Sequence, residues 1–372
     1  MFKILIVGYS TNRGGIESFL LNYCMKFDHK IIQTDFVNMS QDSLANESKL
    51  KEMGSIVKIN LPSKLRAPIK KREYLNNVIL PLLKKYDCVW FNLVSLVDID
   101  LIKTAKKAKV KKIIIHSHNS QNMDNSVSGY FNMVRHYINK CRAYKYATDY
   151  WACSIDAMKW MFPRKLFNKV KLIKNAIDIN KYSFSQQKRD KIREHYKLEK
   201  DFVIGNVARL QYQKNQVFAI EVLKRLLNYI PNSKMVFVGN GEDKEKLIRK
   251  VRKMGLQNHV LFVGAKENID AWYSSFDFFL FPSLFEGLSI TSLEAQANGL
   301  PILASDTAIT IEGKIIDNVR TMSLNNNIDS WVNTIVEMSK MRRKKESDIQ
   351  EAFKEMGFDI NVESKKMMKL LI

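Results

Sequence analysis

Apolar and polar positions alternate along this chain in two registers. Short uninterrupted apolar runs read as strands buried on both faces: FKILIVG, KIIQTDFV, SIVKINL, CVWFN, KKIIIHSH and YWACS, then VIGNVARL, KMVFVGNG, HVLFVG, FDFFLFPS and PILASD. Between them, stretches over 15–27, 69–85, 98–109, 215–229, 242–254 and 290–298 carry helical spacing. Strands of this kind alternating with helices predict an α/β fold of parallel sheets covered by helices. The series runs twice, reopening at FVIGNVARL after the charged segment SQQKRDKIREHYKLEKD. We therefore expect a hinge near 175–185 and two doubly wound, Rossmann-like domains, residues 1–178 and 179–355. The C-terminal stretch from about 340 is helical in pattern, and its last part, 356–372, is expected to pack back onto the first domain.

Composition fits this division, since 372 residues with 46% hydrophobic side chains suffice for two cores. A formal charge of +22 asks for an anionic partner, whether nucleic acid, a membrane face or a phosphorylated substrate. The opening MFKILIVGYSTNRGG reads as a first strand and its loop rather than a signal peptide, and no apolar run approaches the roughly 18–20 residues that span a bilayer. Cys24, Cys88, Cys141 and Cys153 show no CxxC spacing and read as small hydrophobes, which suits a reducing cytoplasm. The basic residues come with no recognisable nucleic-acid module, so nucleic acid is not the expected partner.

Open parallel sheets bind ligands beyond the carboxyl ends of their strands, so the candidates are the residues just after each apolar run. Gly14 and Gly15 in TNRGGIES let a ligand approach the backbone and present amides at the next helix. Their spacing is not GxGxxG, and a tight strand-to-helix turn accounts for them equally well. KKIIIHSHNS ends in His116 and His118, two apart and so on one side of a strand. His29, His136, His195 and His259 complete no metal motif, which leaves hydrogen bonding to a polar substrate or packing at the strand end. In NVARLQYQKNQ, Arg209 and Lys214 can neutralise a diphosphate from two sides, though two solvated charges are the other reading. FVGNGED puts Gly239 and Gly241 in a further strand-end turn.

The most specific stretch is FEGLSITSLEA. Glu286 follows the FDFFLF strand, a helix begins at Ser289 or the next residue, and Glu294 lies about a turn into it. Helix amides bind phosphate, while one carboxylate on each side accepts from hydroxyls. A sugar joined through diphosphate to a ribose has that layout. TSLE, Thr291–Glu294, also matches a capping box in which Glu294 only serves its own helix terminus.

With GGIE, HSHN, NAID, ARL with Lys214, VGNGE and FPSLFEGLSITSLEAQANGLPILASD in this order, the chain resembles the retaining glycosyltransferases of family 4, over nearly its whole length. HSHN with SDTAITIE is most similar to the bacterial branch that builds capsular, exopolysaccharide or lipopolysaccharide chains. The resemblance implies the GT-B fold of two facing Rossmann-like domains, with acceptor bound by the first and nucleotide sugar by the second. It implies that Glu286 contacts donor-sugar hydroxyls and Glu294 the ribose, and that Arg209 and Lys214 hold the diphosphate with the amides of Leu288 and Ser289. Gly241 and Gly287 would complete the donor site. Gly14, Gly15, His116, His118 and Asn119 would line the acceptor side, with His118 positioning rather than attacking. Ala176 and Ala208 stand where the family often has glycine, which bears on hinge geometry rather than on reacting groups.

The implied activity is that of a metal-independent, retaining hexosyltransferase that moves a sugar from a nucleoside diphosphate, UDP by expectation, to a glycan or lipid-linked glycan. No cofactor is expected. The DxD at Asp98–Asp100 reads as a solvated helix N-terminus rather than a metal site. The basic clusters Lys64–Arg72 and Lys106–Lys112 are expected either to draw the protein to an anionic inner membrane face or to be plain solvated surface. Two other readings stand beside this one: a UDP-sugar epimerase of similar architecture, and an inactive transferase-like partner subunit.

Overall fold

A computed structural model describes every residue except 13, 64–65, 120–125, 287 and 310, so Gly287 lies outside the described residues. The chain divides into two compact units, Met1–Ala176 together with Ile360–Ile372, and Ile177–Asp359.

The first unit is built on seven strands: β1 (Phe2–Val7), β2 (Ile32–Asn38), β3 (Ile56–Lys58), β4 (Cys88–Leu93), β5 (Lys112–Ser117), β6 (Asp149–Ala152) and β7 (Val170–Leu172). All are parallel, in the order β3-β2-β1-β4-β5-β6-β7. In β1, Ile4 and Ile6 enter one core while Leu5 and Val7 enter another, the two-residue period of a strand covered on both faces. The C-terminal helix Ile360–Leu371 belongs to this unit. It buries Ile360, Met367 and Leu371 in the core that contains Phe19 and Tyr23, worth roughly 1.5–3 kcal/mol for each such side chain.

The second unit has six parallel strands: β8 (Phe202–Val207), β9 (Ser233–Val238), β10 (Val260–Gly264), β11 (Phe278–Phe281), β12 (Ile302–Ser305) and β13 (Val319–Met322). Their order is β10-β9-β8-β11-β12-β13. In each sheet the chain winds outward on one side and restarts on the other. A topological switch point is thereby left between β1 and β4 in the first unit and between β8 and β11 in the second. Crevices at such points are where open α/β sheets bind ligands.

The α/β expectation holds for both units, but two strands carry no apolar-run signal. β7 (VKL) and β13 (VRTM) are edge strands with charged positions, so neither shows the continuous apolar run of an inner strand. The charged segment before the second series is also more than a connection. It forms the helix Gln186–Tyr196, whose Arg189 and Arg193 turn inward to Asp277, at 2.6 Å for Arg189. With Arg343 they cap the carbonyls of Ser274, Ser275 and Phe276 at the C-terminus of helix Ile269–Ser275. Burial, then the neighbouring Arg189, push Arg343 down to about 9.

Candidate functional site

In the second unit the residues after β8 and β11 meet across the switch point. The turn Tyr212–Lys214 brings Lys214 Nζ to 2.6 Å from Glu286 Oε1, with side chains 18% and 8% exposed. The two loops are also tied by their backbones and by Gln213. The Leu284 amide donates to the Gln213 carbonyl at 2.8 Å, and Gln213 Nε2 donates to the Phe285 carbonyl at 2.8 Å. From the other side, the Glu286 amide donates to the Thr307 carbonyl at 3.1 Å, and Thr307 Oγ1 donates to the Ser283 carbonyl at 3.2 Å. Glu286 is thus a fixed carboxylate at the mouth of the sheet. Its Oε2 meets Gln213 at a long 3.5 Å and keeps acceptor capacity for a hydroxyl. Lys214 has three donors, of which Glu286 takes one.

Arg209, directly beyond β8, is held differently. Its Nε donates to Glu242 at 3.1 Å, but the two side chains are 61% and 57% exposed. Its backbone is firmly seated, since Gln216 Nε2 donates to the Arg209 carbonyl at 3.0 Å. Gly239 and Gly241 explain how the loop after β9 fits here. Gly239 has φ +145, a Cβ on it would lie 2.0 Å from the Ala208 carbonyl oxygen, and a Cβ on Gly241 would lie 2.2 Å from that of Leu210. Only glycine permits this approach, and it brings Glu242 up to Arg209.

Ser289 caps the helix Ile290–Ala297, its hydroxyl accepting from the Ser292 amide at 3.4 Å. Thr291 and Glu294 therefore lie inside the helix, too far along it to form a capping box, and that reading of TSLE is overturned. The Glu294 carboxylate instead accepts from Tyr273 Oη at 2.9 Å, with the Tyr182 hydroxyl also near enough to favour its charged form. Burial raises its pKa, and the two hydroxyls only partly offset this. Tyr182 and Tyr273 lay unnoticed in the sequence, because single tyrosines on distant helices carry no spacing signal. Leu288 sits half-buried between Glu286 and the cap. The helix starts directly after the loop that carries Glu286, so its positive end opens on that loop.

In the first unit, the loop after β1 reaches β4: Gly8 has φ +107, and a Cβ there would meet the Asn92 carbonyl oxygen at 2.0 Å. Gly14 precedes the helix Gly15–Cys24, and Glu17 of that helix accepts from the amides of Ser10 and Gly14 at 3.0 Å each. In GGIE the glutamate therefore shapes the glycine turn. A Cβ on Gly15 would meet nothing within 4 Å. His116 and His118 do share one side, with ring centroids 4.1 Å apart, but their surroundings differ. His116 is fully buried, stacked on Trp90 and edge-on to Trp151, and among the described residues neither ring nitrogen has a hydrogen-bond partner. Burial, then the neighbouring His118, hold its pKa well below the usual histidine range.

His118 is half-buried, and its Nε2 lies 2.9 Å from Asn92 Oδ1. Because Asn92 Nδ2 is turned to the Trp90 carbonyl at 3.3 Å, Oδ1 faces the imidazole and can only accept. The His118 proton is therefore on Nε2, and Nδ1 is left as an acceptor. Desolvation pushes its pKa down to about 3, so the ring is neutral at physiological pH. Asn92, the last letter of CVWFN, is a site residue that the sequence reading passed over. Asn119 follows, half-buried, its carbonyl accepting from Ser117 Oγ at 3.4 Å.

The DxD pair does stand at a helix N-terminus, Asp100 opening the helix Asp100–Lys107, but it is only partly solvated, with Asp98 42% and Asp100 16% exposed. The buried Lys71 pairs with both Asp98 and Asp100, the latter at 3.0 Å, so the two acids neutralise a buried cation. Among the described residues no group of three or more His, Cys, Asp or Glu could hold a metal ion, and no helix is long and apolar enough to cross a membrane.

Residues 187–356 match the family described as glycosyl transferases group 1, so the second unit carries a glycosyl transferases group 1 domain. Over 367 residues the chain is 27% identical to "Putative glycosyltransferase EpsF" of Bacillus subtilis (strain 168), covering 96% of this chain and 93% of that one. It is 32% identical over 177 residues to the UDP-Gal:alpha-D-GlcNAc-diphosphoundecaprenol alpha-1,3-galactosyltransferase of Escherichia coli, 46% of this chain and 45% of that one. Among solved structures it is similar to Anabaena Alr3699/HepE in complex with UDP-glucose, with a TM-score of 0.75 at 18% identity over 100% of this chain and 99% of that one. This last likeness is one of fold, the GT-B type of two Rossmann-like domains.

Proposed function

We propose that the chain is a retaining glycosyltransferase of family 4 that transfers a hexose from a UDP-linked donor to a glycan or lipid-linked glycan of a bacterial surface polysaccharide, without a metal. The observation that carries this reading is the Lys214–Glu286 bond across the β8/β11 switch point, in the loop directly before the helix Ile290–Ala297. The named activity of the Escherichia coli relative, a transfer from UDP-galactose to a lipid-diphosphate-linked sugar, supports the donor and acceptor classes.

In this reading Arg209, Lys214 and the amides before Ile290 hold the diphosphate, and Glu294 accepts from the ribose. Glu286 Oε2 accepts from the donor sugar. The bond from C1 to the diphosphate oxygen breaks as the acceptor oxygen bonds to C1 on the same face, and the acceptor proton passes to the departing phosphate oxygen. The chain's contribution is to stabilise that developing negative charge with fixed cations and dipoles. In the first unit, His118 Nδ1 accepts from a hydroxyl of the acceptor and so orients it. The test is a panel of nucleotide sugars offered without metal, read by thermal shift and then by mass spectrometry with extracted glycolipid. Stabilisation by one UDP-sugar, abolished in Glu294→Ala, with a hexose added to acceptor in α linkage from an α-linked donor, is expected. An altered sugar without acceptor would mean an epimerase, and no donor binding by the folded protein would refute the transferase reading.

A further inference from the structure

Among the described residues, the helix Val127–Ala143 of the first unit packs by one face. Gly129, His136 and Ala143 are buried, His136 stacks on Trp160 at 4.0 Å, and its Nδ1 accepts from the Leu96 amide at 3.0 Å. On the outside, Val127, Tyr130, Phe131, Val134, Tyr137 and Ile138 are 77%, 61%, 64%, 42%, 49% and 50% exposed. At about 100° per residue these six, with the exposed Cys141, fall within about 120° of the helix circumference, opposite His136. Scattered exposed apolar residues are ordinary, but a continuous stripe about four turns long marks an interaction surface.

The charge of the helix identifies what covers it. It contains no Asp or Glu, and its charges are Arg135, Lys140 and Arg142, with Lys145 just beyond. Arg135 and Arg142 border the stripe on the Phe131 and Ile138 side. We propose that this helix lies in the interface of an anionic bilayer, its aliphatic and aromatic stripe among the upper acyl segments and its arginines at the lipid phosphates. A second copy would bring basic flanks and a formal charge of +22 against their own kind, which disfavours self-association. Within the two basic clusters, expected to be either membrane contacts or plain solvated surface, Lys71 pairs with Asp98 and Asp100, Lys107 donates to Asn76 at 2.9 Å, and Lys112 donates to the Leu370 carbonyl. Those three lysines are engaged within the protein, and the membrane contact proposed here rests on the apolar stripe and its basic border. The inference stands on this helix and does not depend on the transferase reading.

The test uses the full chain with vesicles of phosphatidylcholine and phosphatidylglycerol in equal parts, and with phosphatidylcholine alone, at physiological salt. An environment-sensitive fluorophore on Cys141, the exposed member of the four cysteines, reports insertion. Cosedimentation and blue-shifted emission on the anionic vesicles are expected. Phe131→Ser with Ile138→Ser should lower partitioning about tenfold or more at unchanged thermal stability. Arg135→Gln with Arg142→Gln should weaken binding to the anionic vesicles and flatten its salt dependence. No binding to anionic vesicles, or full binding by the serine variant, would overturn the proposal. So would a solution dimer that the serine variant converts to monomer, since a second copy would then cover the stripe.

Discussion

Arg209 and Lys214 carry the same charge five residues apart, but their surroundings separate what each does. Arg209 and Glu242 are 61% and 57% exposed, so losing their ion pair costs about 0–1 kcal/mol of stability. If Arg209 holds a diphosphate oxygen, Arg209→Gln removes a charge-assisted hydrogen bond of roughly 1.5–3 kcal/mol, which is about 10- to 100-fold in affinity for UDP. Lys214 is different, because its partner Glu286 is only 8% exposed. Lys214→Met strands that carboxylate, and breaking a buried pair in this way costs about 3–5 kcal/mol; the 18% exposure of Lys214 brings the expectation nearer 2–3 kcal/mol. The double variant Lys214→Met with Glu286→Leu should regain most of that stability and still fail to bind UDP. Isothermal titration with UDP gives affinity, and urea unfolding followed through Trp272 and Trp331, both fully buried in the second unit, gives stability. An Arg209→Gln protein that binds UDP within about threefold of wild type would refute the diphosphate assignment. A Lys214→Met protein as stable as wild type would refute the electrostatic account of the switch-point bond.

His116→Phe replaces a buried imidazole, whose nitrogens have no hydrogen-bond partner among the described residues, by an apolar ring that can keep the stacking on Trp90. Its depressed pKa contributes stability above the unfolded-state value of 6.5 that is lost as pH falls, so one pH unit below that value the variant should have gained about 1.4 kcal/mol on wild type relative to pH 8. Parallel urea midpoints at both pH values would contradict this. Glu294 has a raised pKa, so UDP affinity should begin to fall with decreasing pH above the ordinary carboxylate value of 4.5, and Glu294→Gln should bind weakly with a flat profile; titration calorimetry across pH decides it. Asn92→Leu removes the acceptor that keeps the proton on His118 Nε2, and turnover should fall about 10- to 100-fold with UDP affinity unchanged. Asn92→Asp should restore turnover and bring a histidine inflection into the pH–rate profile, whereas a loss of UDP affinity in either variant would count against an acceptor-side role.

Local pattern alone carried much of this protein. Apolar runs such as FKILIVG and FDFFLF are legible as inner parallel strands, because a strand covered on both faces needs no alternation. The residues at their carboxyl ends, Arg209, Lys214 and Glu286, could be picked out because that is where an open sheet leaves its loops. Tertiary structure decided everything that depends on distance through space. Strand order put β8 beside β11 and so joined Lys214 to Glu286, seventy-two residues away. Folding also brought Tyr182 and Tyr273 to Glu294, Asn92 to His118 and Lys71 to the DxD, and none of these pairings leaves a periodic trace in sequence. The same holds for the Val127–Ala143 helix: sequence spacing can show that a stripe is apolar, but only packing shows which stripe is left uncovered. Local order follows from each residue's own preferences, whereas a site is made by the partners that the sheet topology delivers.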